Sequence, residues 1–191
     1  IIVLLALIPT IVLPLYANIL LTRGYLLHLI DVNGANAYFE RGLALGTYAD
    51  LEYGYQAYTM YTDHQAVQLS GKTRIAAYAY ALSLLTANFK KYPYDARTAT
   101  YLGHVIDTAP PEVAVDDAFD KQVLSLAIDL SPLRAQAWYM TANIPLRKAD
   151  ALPQNDTGKE KYFREAIVVL EAYAQKEISL PVPRYILATL Y

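Results

Sequence analysis

The first 22 residues of the chain, IIVLLALIPTIVLPLYANILLT, contain no charged side chain, and this stretch limits the accessible folds more than any other. As a helix rising about 1.5 Å per residue it would cover about 33 Å, enough for the hydrocarbon core of a bilayer. Pro9 and Pro14 are tolerated in membrane helices, and Tyr16 followed by Arg23 suits an approach to the membrane interface. We therefore predict a transmembrane helix with an interfacial extension over residues 1–30.

Three other interpretations of this stretch stay open. The apolar core of a signal peptide is usually shorter, roughly 7–15 residues, and follows a basic segment that is not visible here. A buried core helix would be unusually apolar on every side, and the two prolines also allow a loop. Because the sequence begins with Ile1 inside an apolar run, we expect it to belong to a longer protein. A single flank does not orient the span.

Charge and composition exclude two classes of function. The net charge is −2 with a pI near 5.9, and no basic run is present to neutralise phosphates, so we expect no nucleic-acid partner. The chain has no cysteine, which excludes disulfides and thiolate chemistry. Tyrosine is abundant, with 18 residues against 4 phenylalanines, and we expect these rings to be buried with their hydroxyl groups near water.

Apolar residues recur at helical spacing from Ala35 to the end of the chain, whereas strand and hairpin signals are few. We therefore predict an all-α fold, with a break at Gly34 before the first of these helices. Most prolines fall between the apolar stripes, as expected of helix-ending residues. The predicted helices end at Tyr92, before Pro110, at Leu130 and near Tyr173, and the last one covers about 182–191.

The clearest helical pair lies at residues 118–144, interrupted by Ser131-Pro132. Its first helix places Asp120 on the polar face, in an acidic cluster that caps the helix start. Pro145 is expected to end or kink the second helix. Residues 148–158 form the most polar loop, and Thr157 with Glu160 matches a capping box for the next helix.

The helices of this chain repeat. Pro93, Pro132 and Pro181 each follow a predicted helix, at separations of 39 and 49 residues. The longer separation requires an insertion, which we place at residues 148–158. The tetratricopeptide pattern expects certain residues at fixed offsets from such prolines. Four residues match it: Leu102, Gly103, Ala127 and Trp138.

Residues 35–191 thus resemble a degenerate array of tetratricopeptide-like helical hairpins, an α-solenoid. Asp120 departs from the pattern, because a small residue is expected at its position. A generic helical bundle is the alternative for the same residues.

A second resemblance joins the apolar stretch to the repeats. The segments LYANILLTRGYLLHLI, ANAYFERGLALGTYADLEYG, KYPYDARTATYLG, LSLAIDLSP and AQAWYM occur in this order. In order and spacing they resemble the C-terminal end of bacterial O-antigen ligase/polymerase-type membrane proteins with a tetratricopeptide tail. The resemblance implies a location in the bacterial inner membrane. It also implies an enzyme that transfers a lipid-linked glycan through arginines and a histidine in an upstream loop. That loop is not in this sequence, so no catalytic residue is carried over.

Two patterns suggest other chemistry, and we expect neither to be functional. Residues 66–73, AVQLSGKT, match a relaxed phosphate-binding loop, but such a loop needs a buried strand before it, and YTMYTDHQ is not one. His28, His64 and His104 are too far apart in sequence to form a helical metal site. We therefore predict no catalytic residue, no cofactor and no metal.

The remaining candidate surface is the concave face of the helical array, which generally receives a peptide or protein partner. The candidate residues are Tyr94, Arg97, Tyr101 and Asn143, which have polar tips on the first helices of the predicted hairpins. The predicted function is a membrane-anchored, partner-binding segment of a larger glycan-transferring protein. A stand-alone membrane-anchored scaffold without enzymatic role is the alternative.

Overall fold

The computed structural model describes residues 7–47, 49–62, 69–113 and 115–190. Every regular element in these ranges is helical, which confirms the all-α prediction. Two compact units are formed, unit 1 from Ile1–Pro93 with Thr108–Ala114 and unit 2 from Tyr94–Asp107 with Val115–Tyr191. The helices are α1 (Ile8–Leu27), α2 (Val32–Leu43), α3 (Asp50–Thr62), α4 (Gly71–Lys91), α5 (Ala96–Thr108), α6 (Asp117–Leu130), α7 (Ala135–Asp150), α8 (Gly158–Lys176) and α9 (Val182–Leu190). A 3₁₀ turn covers Pro111–Val113.

Three proline-containing boundaries lie where the sequence predicts them. Helix α4 ends at Lys91 ahead of Pro93, α5 ends ahead of Pro110, and α6 ends ahead of Pro132. In each case the residue before proline is pushed out of the helical region, and the missing N–H removes the next hydrogen bond. These boundaries are set locally, so they follow from the sequence alone.

Pro145 behaves differently: of the two predicted outcomes, an end or a kink of α7, the helix end is wrong. Helix α7 runs through Pro145 to Asp150, so the first three residues of the predicted polar loop are helical. Pro145 is buried, as are Ile144 and Ala149. Burial on both sides of the proline stabilises the helix against the one hydrogen bond that it lacks.

Two predicted helix starts also differ from the structure. The chain breaks at residues 28–31 rather than at Gly34, and Asp31 caps α2 by accepting the Gly34 N–H at 2.9 Å. Thr157 makes no capping bond, so the predicted capping box is wrong. The Asp156 carboxylate accepts the N–H of Gly158 at 2.7 Å instead.

Helices α1 and α2 form a tight antiparallel pair. Gly24 lies against α2, where an added Cβ would be 2.5 Å from the Phe39 ring and 3.0 Å from the Ala35 carbonyl oxygen. Only glycine permits this approach of the two backbones. Towards the other end of the pair, Arg41 donates to the Tyr16 hydroxyl at 3.3 Å.

Helices α3 and α4 continue the alternation within unit 1. Gly42 at the end of α2 faces Tyr53 near the start of α3, and Asn36 accepts the hydroxyl of Tyr61 at 2.6 Å near the end of α3. Helix α4 then runs back, because the Asn88 amide near its end donates to the first carbonyl of α3 at 3.2 Å. Each helix of unit 1 therefore opposes the one before it.

The helices of unit 2 alternate in the same way. Lys148 near the end of α7 pairs with Asp117 at the start of α6. Trp138 near the start of α7 stacks on Tyr173 near the end of α8, with ring centroids 5.6 Å apart. Arg184 of α9 donates to a carbonyl near the end of α8 at 3.5 Å. Helices α6 to α9 thus run alternately up and down.

Helices α5 and α7 run parallel to each other. An added Cβ on Gly103 would be 2.4 Å from Leu124 and 3.5 Å from Met140, which places the middle of α5 against both α6 and α7. Further along both helices, Asp107 of α5 meets Arg147 of α7. Helix α5 therefore runs in the same direction as α7, and α6 runs in the opposite direction to both.

The tyrosines are more deeply buried than the sequence predicts. Tyr53, Tyr61 and Tyr173 are fully buried, and their hydroxyl groups bond to protein oxygens rather than reaching water. Burial raises the pKa of Tyr53 to about 12 and also raises the pKa of Tyr61. These hydroxyl groups therefore stay protonated and act as hydrogen-bond donors within the core.

Candidate interaction surfaces

Helix α1 carries the largest set of exposed apolar side chains in the described part of the chain. It is the one described helix that is long and apolar enough to cross a membrane, and only 22% of its most apolar window is buried. Signal sequences and core helices of soluble proteins meet the same criterion. The exposed apolar residues are Leu7, Ile8, Ile11, Val12, Leu15, Tyr16, Ile19 and Leu26.

The opposite face of α1 belongs to the core of unit 1. Ala17, Leu20 and Gly24 are buried there, and Ala17 lies in one apolar cluster with Phe39 and Tyr53. The Tyr53 hydroxyl donates to the Ala17 carbonyl at 2.6 Å. Helix α1 is therefore both an exposed apolar surface and a structural part of the folded unit.

The first turns of α1 reflect its prolines. Residues Ile8–Val12 form a π-helical turn in which the Leu13 N–H bonds to the Ile8 carbonyl. Pro14 has no N–H to give to the carbonyl four residues earlier, and the regular α-helix begins at Leu13, directly after the π-helical turn. The helix axis nevertheless continues into Leu13–Leu27.

The four predicted partner-binding residues fall into two groups. Tyr94 is almost fully exposed just before α5. Arg97 donates to the Tyr101 hydroxyl at 3.2 Å, with its guanidinium 5.2 Å from the ring centre. Asn143 lies on α7 and donates to the Asp107 carboxylate at 3.3 Å. Six residues of helix, about 9 Å, separate Tyr101 from Asp107.

A charged cluster that the sequence analysis did not identify joins α5, α6 and α7. Arg147 is its centre: it donates to the Asp107 carbonyl at 3.0 Å and to the Asp107 carboxylate. Its other nitrogen lies 3.4 Å from the Asp120 carboxylate. Lys148 pairs with Asp117 beside it. The 40-residue separation of Asp107 and Arg147, close to the 39 residues between Pro93 and Pro132, was the only sequence signal for this contact.

The prediction that Asp120 lies on the exposed polar face of α6 is wrong. Its side chain is only 2% exposed, and one of its carboxylate oxygens has no hydrogen-bond partner among the described residues. Burial raises the pKa of Asp120 to about 6, Arg147 opposes this shift, and Asp107 adds to it. Through Arg147 and Lys148 of α7, the cluster joins α5, α6 and α7 by ion pairs.

The sequence patterns for metal and nucleotide binding gain no geometric support. In the described ranges, no three or more His, Asp or Glu side chains are grouped to hold a metal ion. His28 is buried and bonded to the Tyr25 carbonyl. His64 and the first part of the loop-like stretch, residues 66–68, lie outside the described residues. Gly71 simply begins α4 with a φ of +53°.

Comparison of the chain with protein-family models, with curated proteins and with solved structures found no match.

Proposed function

We propose that this chain is a membrane-anchored helical-repeat segment that positions a partner close to the membrane. One observation carries the proposal. Helix α1 exposes apolar side chains on one face while its other face is bonded into the core of unit 1, as in the Tyr53 to Ala17 hydrogen bond. An anchor of this kind would hold the helical array at a fixed position on the membrane rather than on a flexible tether.

The repeat part of the proposal is supported by the spacing of contacts within each unit. Helices alternate in direction, and tertiary hydrogen bonds recur at separations of 36 to 40 residues. Trp138 and Gly103 lie at tetratricopeptide signature positions, and both are in tight contact with neighbouring helices. Stacked hairpins with one period of about 34 residues or slightly more produce such contacts.

The parent protein, under this proposal, is an O-antigen ligase-like glycan transferase of the bacterial inner membrane. The support is the order of sequence segments described above. This chain contributes binding and positioning, whereas the lipid-linked glycan is handled by the upstream part. Sequencing the encoding locus upstream of Ile1 tests this directly. Several apolar spans and a long loop with arginine and histidine are expected. A start codon immediately upstream, followed only by a short basic segment, would refute the ligase-tail hypothesis and leave the stand-alone scaffold.

Membrane attachment is tested by polar substitution of α1. Vesicles carrying the chain are washed at alkaline pH and sedimented. The wild type should stay with the vesicles, whereas the triple variant Ile8→Gln, Ile11→Gln and Leu15→Gln should move to the supernatant with its helical circular dichroism retained. Release of the wild type, or retention of the variant, would contradict the anchor.

A matched control removes three apolar side chains from unit 2 that are more exposed than Ile8, Ile11 and Leu15. The variant Val168→Gln, Ile178→Gln and Tyr185→Gln changes positions on or near α8 and α9 that are 65 to 75% exposed. It should stay with the vesicles as the wild type does. Its release would show that any loss of apolar surface detaches the chain.

Partner binding is tested by site-specific cross-linking in cell membranes. A photoreactive amino acid in place of Tyr94 should give a discrete adduct that weakens when Arg97 is changed to Ala. The same amino acid in place of Tyr185, an equally exposed tyrosine on α9, is the control. Equal adducts at both positions, or none at Tyr94, would exclude the predicted surface.

A further inference from the structure

We infer that the membrane surface meets α1 at Tyr16, so that only the residues before it enter the hydrocarbon while residues 17–27 remain with unit 1 outside it. This inference rests on the proposed membrane attachment and specifies its depth. A span drawn by length alone would place all of Ile8–Leu27 in the bilayer, because 20 residues of helix cover about 30 Å.

The described residues before Leu13 have no protein neighbours that shield them from solvent, and Pro14 is the first buried residue of α1. None of Ile8–Val12 is buried, and no charged side chain occurs among them. Ile8, Ile11 and Val12 share one side of the helix and are each about half exposed, and Pro9 and Thr10 on the rest of this turn are exposed as well. A helix end that is uncharged and uncovered on all sides fits a lipid environment, whereas a helix lying on a protein core has one polar face.

The surroundings of α1 change around Tyr16. From Pro14 onwards one side is buried, mainly under α2, and after Tyr16 the other side presents Asn18, Thr22 and Arg23 to solvent. The shallow groove along this outer side is lined by these three residues together with Leu15 and Ile19. The amide of Asn18 and the positive charge of Arg23 are out of place in hydrocarbon.

The position of charged residues on α2 shows where along α1 the surroundings change. Gly24 of α1 lies beside Ala35 of α2. The two helices are antiparallel, and Arg41 lies six residues after Ala35 while Asn18 lies six residues before Gly24. Arg41 is therefore level with Asn18, about 9 Å along the helix axes from the contact between Gly24 and Ala35. The Arg41 side chain then reaches the Tyr16 hydroxyl at 3.3 Å, and exposed Glu40 lies next to it.

A full span to Leu27 would therefore draw the charged end of α2 into the bilayer. Arg23, Glu40 and Arg41 would all leave water, and the hydroxyl groups that Arg41 and Glu40 contact, those of Tyr16 and Tyr80, do not neutralise their charges. Placing Tyr16 at the surface avoids this, since tyrosine and arginine are the side chains that favour the boundary between headgroups and hydrocarbon.

The absence of cysteine from the chain allows the depth of α1 to be measured one position at a time. Single-cysteine variants of the full chain are made at exposed positions along α1 and just after it: Ile8, Leu15, Ile19, Leu26 and Ile30. Each is labelled with an environment-sensitive fluorophore. The labelled proteins are reconstituted in vesicles of phosphatidylcholine and phosphatidylglycerol that carry doxyl groups at a defined acyl-chain carbon.

The inference predicts a one-way decline of lipid contact along the helix. Quenching by deep doxyl groups should be strongest at Ile8 and weaker at Leu15. Shallow doxyl groups should act on Ile19, and a water-soluble quencher should dominate at Leu26 and Ile30. Val168→Cys on α8 serves as the control for a label outside the bilayer.

Each alternative gives its own profile. Quenching that is deepest at Leu15 and Ile19 and falls towards both ends would show a full span and overturn the inference. Equal shallow quenching at every position would show a helix lying flat on the surface and would also overturn it. A label at Ile8 that is shielded from water but untouched by doxyl groups would mean that a second copy covers the helix. No insertion of any label would reject the membrane attachment itself.

Discussion

Replacing Asp120 with asparagine should remove a pH dependence from the stability of unit 2. Burial raises the folded-state pKa of Asp120 from 3.8 to about 6. Because the folded state binds this proton more tightly than the unfolded state, the stabilisation is fully present below pH 3.8 and is lost as the pH rises through 6. Between pH 5 and pH 8 the wild type should lose roughly 1 kcal/mol of unfolding free energy from this group.

The surroundings of Asp120 explain the direction of the shift. The largest cause is the removal of the carboxylate from water, and the negative charges of Asp107 and Asp117 add to it. Arg147 favours the ionised form, both by its charge and by its hydrogen bond, but does not cancel the cost of burial. An amide at this position keeps the shape of the side chain without the charge, so its stability should not depend on ionisation there.

Urea unfolding followed by Trp138 fluorescence measures this effect. Trp138 is the only tryptophan of the chain and lies on α7, against which α6 packs. In detergent micelles the wild type should become more stable when the pH is lowered from 8 to 5. The Asp120→Asn variant should lack the roughly 1 kcal/mol of this gain that comes from Asp120. At pH 8 the variant should be at least as stable as the wild type.

Asp129→Asn is the matched control, since it removes an exposed carboxylate from the same helix. It should keep the pH dependence of the wild type. The reasoning would be refuted if Asp120→Asn kept the full pH dependence, or if Asp129→Asn abolished it. A strong loss of stability in Asp120→Asn at pH 8 would also refute it, because that result would mean that the ionised carboxylate stabilises the cluster.

Three further substitutions test the packing. Gly42→Ala should destabilise unit 1 by about 1–3 kcal/mol, because the new Cβ would lie 1.7 Å from the Tyr53 hydroxyl oxygen. At an exposed position of a helix the same change is stabilising, so a raised thermal midpoint would contradict this contact. Trp138→Phe removes the 2.9 Å hydrogen bond to the Pro132 carbonyl and should lower the free energy of unfolding by about 1–3 kcal/mol. Urea unfolding followed by circular dichroism measures this loss, and an unchanged urea midpoint would contradict it. Leu170→Ala, at a residue 1% exposed, should cost about 2–5 kcal/mol in the same assay, and a loss below about 1 kcal/mol would show that α8 is not packed as described.

The helix ends could be predicted where a local cause sets them. Pro93, Pro110 and Pro132 end helices because the proline ring acts on its own neighbours, whatever the rest of the chain does. Pro145 has the same ring but lies in a buried part of α7, and the packing that holds it comes from residues far away in sequence. Periodicity identifies a helix, whereas tertiary contacts decide whether a single proline can interrupt it.

The candidate surfaces were predictable to different degrees. The apolar face of α1 follows from composition, since a run without charge must be covered by lipid or protein. Asp120 was predicted to be exposed because an aspartate is ordinarily on the outer face of a helix, and its partner Arg147 lies on another helix. Nor did any local pattern indicate that the Tyr53 hydroxyl reaches the Ala17 backbone, 36 residues away.

The hydrogen bond between Tyr53 and the backbone of α1 has a practical consequence for preparing this protein in water. Deleting the apolar helix, the usual way to make a membrane protein soluble, would remove Ala17 and Leu20 and open the core around Phe39 to solvent. The truncated product is expected to aggregate. A soluble form is better sought by keeping α1 at full length and exchanging only its outward residues for polar ones, since the inward residues hold the unit together.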